Sequence, residues 1–164
     1  MKVIRLPNYS RCFVCGHGNP RGLNVRFDTD GVRVWTQFVA TDEQMGYHGV
    51  LHGGIQSALL DECMGWAACM HRGVLFLATE LNVRFVKSGP LHVPLIVQAQ
   101  MTVDRGRLCE ATGEIVDEQG TVYSRGKGKY FPLSKEETAR MIERIAHDSE
   151  VEWPRDLGEL WKEG

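Results

Sequence analysis

The run from Gly54 to His71 constrains this chain more than any other stretch. Ile55, Leu59, Trp66 and Met70 recur at near-helical spacing, while Ala58, Ala67 and Ala68 keep the other faces slim. A helix that is apolar on most sides belongs in the middle of a domain, because it keeps no broad face for water. Gly73 is placed to close it with a left-handed residue.

The flanking segments read as strands. Leu23, Val25 and Phe27 alternate with Asn24, Arg26 and Asp28, and Asp30-Gly31 signals a tight turn. A second strand is expected over 32–40, with Val32, Val34 and Phe38 on one side. After the helix, Val74 to Val86 reads as a strand whose inward face carries Thr79, Leu81, Val83 and Phe85. Val93, Leu95, Val97, Ala99, Met101 and Val103 mark a fourth strand, and segments 108–116 and 121–131 a fifth and a sixth. Gly126 and Gly128 interrupt the last, which suits a bulge or a close backbone approach.

Ser134-Lys135-Glu136-Glu137 is a capping box opening a second helix, about 135–147, with Ala139, Ile142, Ile145 and Ala146 as its apolar stripe. The tail beyond Asp148 holds Trp153, Pro154, Leu157 and Trp161, and should pack on this subunit or a neighbour. The order predicts an α+β domain, one long helix against an antiparallel sheet of about six strands. Residues 1–133 form that domain with an irregular N-terminal segment, and 134–164 the C-terminal helix and tail packed on it.

Chemistry concentrates in Gly49-Val50-Leu51-His52-Gly53-Gly54 and the helix that follows. Paired glycines let another group approach the backbone. The first N–H groups of a helix lack internal partners and carry the positive end of its dipole, which suits a carbonyl oxygen gaining negative charge. Asp61 lies inside the apolar run, where a carboxylate is costly unless paired, hydrogen-bonded or functional. Gly65 leaves space on its face, and Glu62 points about 100° away and is the lesser candidate. The plainer reading is a glycine turn before a core helix, with a histidine bonded to backbone and an aspartate paired locally.

A length of 164 residues fits one domain, and a formal net charge of -2 argues against a general nucleic-acid binder. No apolar run approaches a membrane span, and Met1 to Pro7 lacks a signal-peptide core. With five cysteines, an odd number, the expectation is a cytoplasmic protein with reduced thiols. Cys12-Phe13-Val14-Cys15-Gly16-His17 offers half a zinc site with His17 as a third ligand, yet no second pair follows.

The phrase Gly46-Tyr47-His48-Gly49-Val50-Leu51-His52-Gly53-Gly54, with Asp61 nine residues after His52, resembles the loop of hotdog-fold acyl-CoA thioesterases of the PaaI-like (phenylacetate-pathway) group. The resemblance covers roughly residues 12–131 and implies a hotdog fold with acyl-CoA thioester hydrolysis. Cys12-x-x-Cys15-Gly16 followed by Asn19 and Gly22-Leu23 is also similar to that group, so a structural turn without metal is expected. The resemblance implies the Gly53 N–H as oxyanion donor, His52 beside it, Asp61 as base or nucleophile, and Thr79 orienting water. Gly54 and His48 would contact substrate. Cations for the coenzyme A phosphates would come from Arg84, Lys87, Arg105, Arg107, Arg125, Lys127 and Lys129. One departure stands out: many relatives carry Asn six residues before the loop histidine, where this chain has Gly46, leaving His48 or Gln44 as substitutes.

No cofactor is expected. Gly53 and Asp61 are separated by roughly 12 Å along one helix, too far for one thioester, which predicts a homodimer with shared sites or a homotetramer built from it. Two other readings share the fold: an acyl-CoA-binding protein without hydrolysis, and a hydratase or dehydratase using His48 or His52 with Glu62.

Overall fold

The computed structural model describes residues 3–149 together with Trp153 and Leu157. Pro154 and Trp161, expected to help seat the tail, lie outside the described residues. Nine strands and two α-helices are found among the described residues: β1 (Ile4–Arg5), β2 (Asp28–Thr29), β3 (Arg33–Val39), β4 (Met45–Tyr47), β5 (Val50–Leu51), α1 (Gly53–Arg72), β6 (Phe76–Phe85), β7 (Pro94–Asp104), β8 (Cys109–Asp117), β9 (Val122–Pro132) and α2 (Lys135–Ile145). Seven strands form one antiparallel sheet in the order β1-β2-β3-β7-β8-β9-β6, and β4 and β5 form a separate hairpin. This is the hotdog arrangement, with the helix α1 packed against one face of a long sheet.

Helix α1 is buried through ten of its residues, from Gln56 to Met70. Gly73 ends it at φ 68, the left-handed position expected for a glycine there. On the sheet side, glycines set the distance of approach. A β-carbon at Gly126 would lie 2.9 Å from the Met64 side chain, and one at Gly113 would lie 3.2 Å from it. At Gly128 it would meet the Tyr130 ring at 2.4 Å, because that ring folds back along its own strand toward α1. The glycines of β9 therefore serve close approach and introduce no bulge at their own positions.

The opposite side of α1 is covered by the two ends of the chain. The Trp66 and Trp153 rings lie 5.7 Å apart, and Trp153 Nε1 donates to the Asn8 carbonyl at 2.9 Å. Leu6, Val14, Val25, Phe27 and Leu157 are buried in the same core. Helix α2 begins with the expected capping box, Ser134 with Glu137. Its inner side uses Thr138, whose hydroxyl accepts from the Leu75 N–H at 3.1 Å, and Ile142; Ala139 faces solvent.

Three expectations need correction. Leu23 to Phe27 is extended but not a sheet strand. Asn24 sits at φ 52, and Leu23 and Val25 donate their N–H groups to Phe13 and Val14 of the N-terminal turn, leaving only Asp28–Thr29 in the ladder. Val32 is 64% exposed at the turn, and Thr36 fills the place between Val34 and Phe38 on the buried face. Thr79 does not face the core. A register shift between Ala78 and Glu80 makes Thr79 the extra residue of a bulge, exposed, with its hydroxyl donating to the Lys129 carbonyl at 3.1 Å.

The glycine packing predicts unequal costs. Gly128→Ala must displace the rigid Tyr130 ring and should destabilise the protein by roughly 1–3 kcal/mol. Gly126→Ala meets the flexible end of Met64 closely and Leu60 only at ordinary contact distance, and should cost less than about 1 kcal/mol. Urea unfolding of both variants checks the order.

Candidate active site

The loop before α1 is held by its own hydrogen bonds. The His52 N–H donates to the Gln44 carbonyl at 2.9 Å, and the Leu51 N–H to Gly89 at 2.9 Å. Gly49, at φ 73, turns the β4–β5 hairpin. His52 is the N-cap of α1: its Nδ1 accepts the Gly54 N–H at 2.9 Å. An Nδ1 that accepts leaves the proton of the neutral ring on Nε2, so Nε2–H is a donor at the helix start. A β-carbon at Gly54 would lie 2.9 Å from Nδ1 and break this cap.

The cap separates the two glycines. The Gly54 N–H is committed to His52. The Gly53 N–H has no acceptor among the described residues and opens into a groove lined by Gly46, Tyr47, His52, Gly53, Gln56 and Phe85, with Lys87 at its side. The Phe85 ring covers this position closely, 3.0 Å from where a Gly53 β-carbon would stand. Gln56 was not anticipated. It is 3% exposed, its amide nitrogen donates to the Leu51 carbonyl at 3.2 Å, and its buried Oε1 has no partner among the described residues.

The loop shows what Gly46 does. A β-carbon there would lie 3.0 Å from His52 Cδ2, so the histidine ring rests on bare backbone. Neither expected substitute takes that place. The Gln44 side chain accepts from the Thr41 N–H at 2.7 Å, and His48 is exposed in the hairpin turn.

Asp61 is half-buried on α1, and the Tyr130 hydroxyl, 3.2 Å away, donates to its Oδ1. Burial raises its carboxyl above the ordinary range, and the Tyr130 bond partly offsets this. Its Oδ2 has no partner among the described residues, so a proton acceptor is left on a partly desolvated carboxylate. Tyr130 escaped the sequence reading because a single aromatic residue in a strand carries no signal beyond core packing. Glu62 turns to the other side of α1, toward Cys12, and takes no part in this arrangement.

The expected cations are divided. Lys87 lines the groove beside Gly53. Arg84, Arg125 and Lys127 line a different groove, on the sheet face turned away from α1. The alternation of β9 explains this: Ser124, Gly126, Gly128 and Tyr130 are buried toward the helix, so the residues between them point outward. Lys127 pairs with Glu110 at 2.6 Å, Lys129 with Glu80 at 2.6 Å, and Arg125 lies 3.8 Å from Glu114. Within one chain these cations do not meet the Gly53 groove. Arg105 and Arg107 occupy the β7–β8 turn.

The N-cap predicts a separation of roles for His52. His52→Ala should lose about 1 kcal/mol of stability, whereas His52→Asn, a good capping residue, should stay within roughly 0.5 kcal/mol of the parent. Thermal and urea unfolding distinguish the two.

Comparisons with known proteins come to the same place. The family model for the thioesterase superfamily matches residues 48–124, which hold the loop, α1 and β6 to β8. Among solved structures, a thioesterase superfamily protein is 26% identical at a TM-score of 0.68, over 74% of this chain and 60% of that one, so this chain spans less than two thirds of its length. The E. coli PaaI protein from the phenylacetic acid degradation operon is 20% identical at a TM-score of 0.62, over 68% of this chain and 81% of that one. A Streptococcus mutans protein solved with acetyl CoA is 17% identical at a TM-score of 0.58, over 62% and 82%. No curated protein matches the sequence. No helix among the described residues is long and apolar enough to cross a membrane. By architecture the chain has the hotdog fold, its residues 48–124 match the thioesterase superfamily model, and PaaI is among the structures it resembles.

Proposed function

We propose that the protein hydrolyses acyl-CoA thioesters to a carboxylic acid and free coenzyme A, in sites shared between two copies of the chain. The observation that carries the reading is the division of labour along α1. Its start offers two donors, the Gly53 N–H and His52 Nε2–H, suited to a thioester oxygen gaining charge. Asp61 lies eight residues further along the same helix, roughly 12 Å away at the helical rise, while a base must come within about 3 Å of its proton or one water away. Two helices antiparallel across a two-fold axis bring one copy's Gly53 beside the other's Asp61 and generate two equivalent sites.

The edge of the sheet supports this pairing. β6 ends the strand order, and Leu77, Leu81 and Phe85 on it are 51%, 39% and 53% exposed. An open ten-residue edge with alternating apolar side chains is suited to pairing with a second copy. Coenzyme A is the carrier because a structure of the same fold holds acetyl CoA and another, from Streptococcus pneumoniae, holds coenzyme A. Lys87 is placed for its phosphates from within the groove, and Arg84, Arg125 and Lys127 could reach them only from another copy's surface. Asp61 either takes a proton from the attacking water or attacks the carbonyl itself. Thr79 keeps a lone pair free for that water while its proton is held by Lys129. A hydratase reading would need Glu62 near His52, and Glu62 faces Cys12 instead. The reading places the protein among soluble cytoplasmic thioesterases, with the tetramer as a further assembly of the dimer.

Release of free thiol from a panel of acyl-CoAs tests the activity. Asp61→Asn should lower turnover by at least about 100-fold with the fold intact. Thr79→Ala should lower kcat more than it raises KM, and unchanged turnover would leave Thr79 a structural bulge residue. Complementation tests the shared site. Gly53→Val and Asp61→Asn homodimers should each be nearly inactive, and their heterodimer, with one site free of both lesions, should recover about half the parent activity. Folded heterodimers as inactive as their parents would exclude shared sites.

A further inference from the structure

We propose that Cys12, Cys15 and Glu62 form a zinc site that clamps the N-terminal turn onto the outer side of α1. Sequence alone placed no metal here, because Cys12 and Cys15 lack a second pair nearby. The fold supplies what the spacing lacks. One thiol sulfur from each cysteine and one carboxylate oxygen of Glu62 lie within 4.8 Å of one another, although Glu62 is fifty residues from Cys12. His17, the third ligand the sequence suggested, is instead exposed, with its Nδ1 3.1 Å from the Asn8 amide nitrogen.

The spacing of Cys12 and Glu62 fits a tetrahedral ion. Zinc bonds of about 2.3 Å to sulfur and about 2.0 Å to oxygen set sulfur and oxygen ligands about 3.5 Å apart. Cys12 Sγ lies 3.7 and 3.8 Å from the two carboxylate oxygens of Glu62. The turn is also built around a sulfur that accepts charge. The N–H groups of Val14 and Cys15 point at Cys12 Sγ, 3.3 and 3.5 Å away, and the Gly16 N–H closes the turn on the Cys12 carbonyl at 3.1 Å. A β-carbon at Gly16 would lie 2.3 Å from that carbonyl, so only glycine completes this wrap.

Glu62 gives the site its need. A half-buried carboxylate is costly without a partner, and the hydrogen-bond partner of Glu62 among the described residues is the Cys12 thiol rather than a lysine or arginine. A divalent ion would hold the two thiols and the carboxylate together as thiolates and carboxylate. Two thiolates and one carboxylate select a borderline-soft ion that accepts tetrahedral coordination, which is zinc, and three protein ligands leave one position for water.

The test uses the full chain kept under reducing conditions. After zinc loading and desalting, elemental analysis should find about one zinc per chain. Cobalt substitution should give thiolate-to-metal charge-transfer absorption and tetrahedral d–d bands in the parent protein, a readout that needs no variant. Cys12→Ser should abolish both. Glu62→Gln should weaken binding by more than the roughly 100-fold that loss of an outer-shell partner costs, and His17→Ala should leave it unchanged. Circular dichroism confirms that each variant is folded. A parent chain that retains no zinc and shows no thiolate–cobalt band overturns the proposal. So does zinc held equally well by a folded Cys12→Ser chain, or a Cys12–Cys15 disulfide that persists in reductant.

Discussion

A helix with no face for water must be covered on every side, and the architecture follows from that requirement. On one side of α1 the sheet approaches closely because Gly113, Gly126 and Gly128 carry no side chains where Met64 and Tyr130 must fit. On the other side no second large sheet is found among the described residues. The N-terminal segment, folded through the Cys12–Gly16 turn, and Trp153 and Leu157 from the C-terminal tail do that work. The two ends of the chain are thus part of the core.

The same helix carries the residues of the candidate site. Its start must be capped, and the cap is a histidine, so one ring both satisfies the Gly54 N–H and leaves a donor beside the Gly53 N–H, which has no acceptor among the described residues. Its middle carries two adjacent carboxylates that diverge by one helical step. Asp61 turns toward Tyr130 and the sheet, Glu62 toward Cys12 and the N-terminal turn. Neighbours in sequence therefore sit in different surroundings.

Much of this was legible in the residues. The long helix, its glycine stop, the capping box at Ser134 and the strands after residue 92 follow from periodicity and turn chemistry, and the structure has them. What failed depended on contacts that local pattern does not carry. Alternation in Leu23–Phe27 reported burial correctly, but its backbone partners are the Cys12–Cys15 turn rather than a strand. Thr79 left its predicted face because a bulge, invisible to a period-two pattern, inserts it. Charge alone does not say which face carries Arg125 and Lys127, and the pleat of β9 puts them on the side turned away from α1. Tyr130 and the Cys12–Glu62 contact join residues 69 and 50 positions apart, a separation at which sequence pattern is silent.

The indole pair on the outer side of α1 has an optical consequence. At 5.7 Å and 36° between planes, Trp66 and Trp153 are near enough for their transition dipoles to couple. Two of the four tryptophans in the chain therefore form a built-in chromophore whose near-ultraviolet dichroism exists only while the tail is docked. Seating of the C-terminal segment can be followed by light, without label and without substrate.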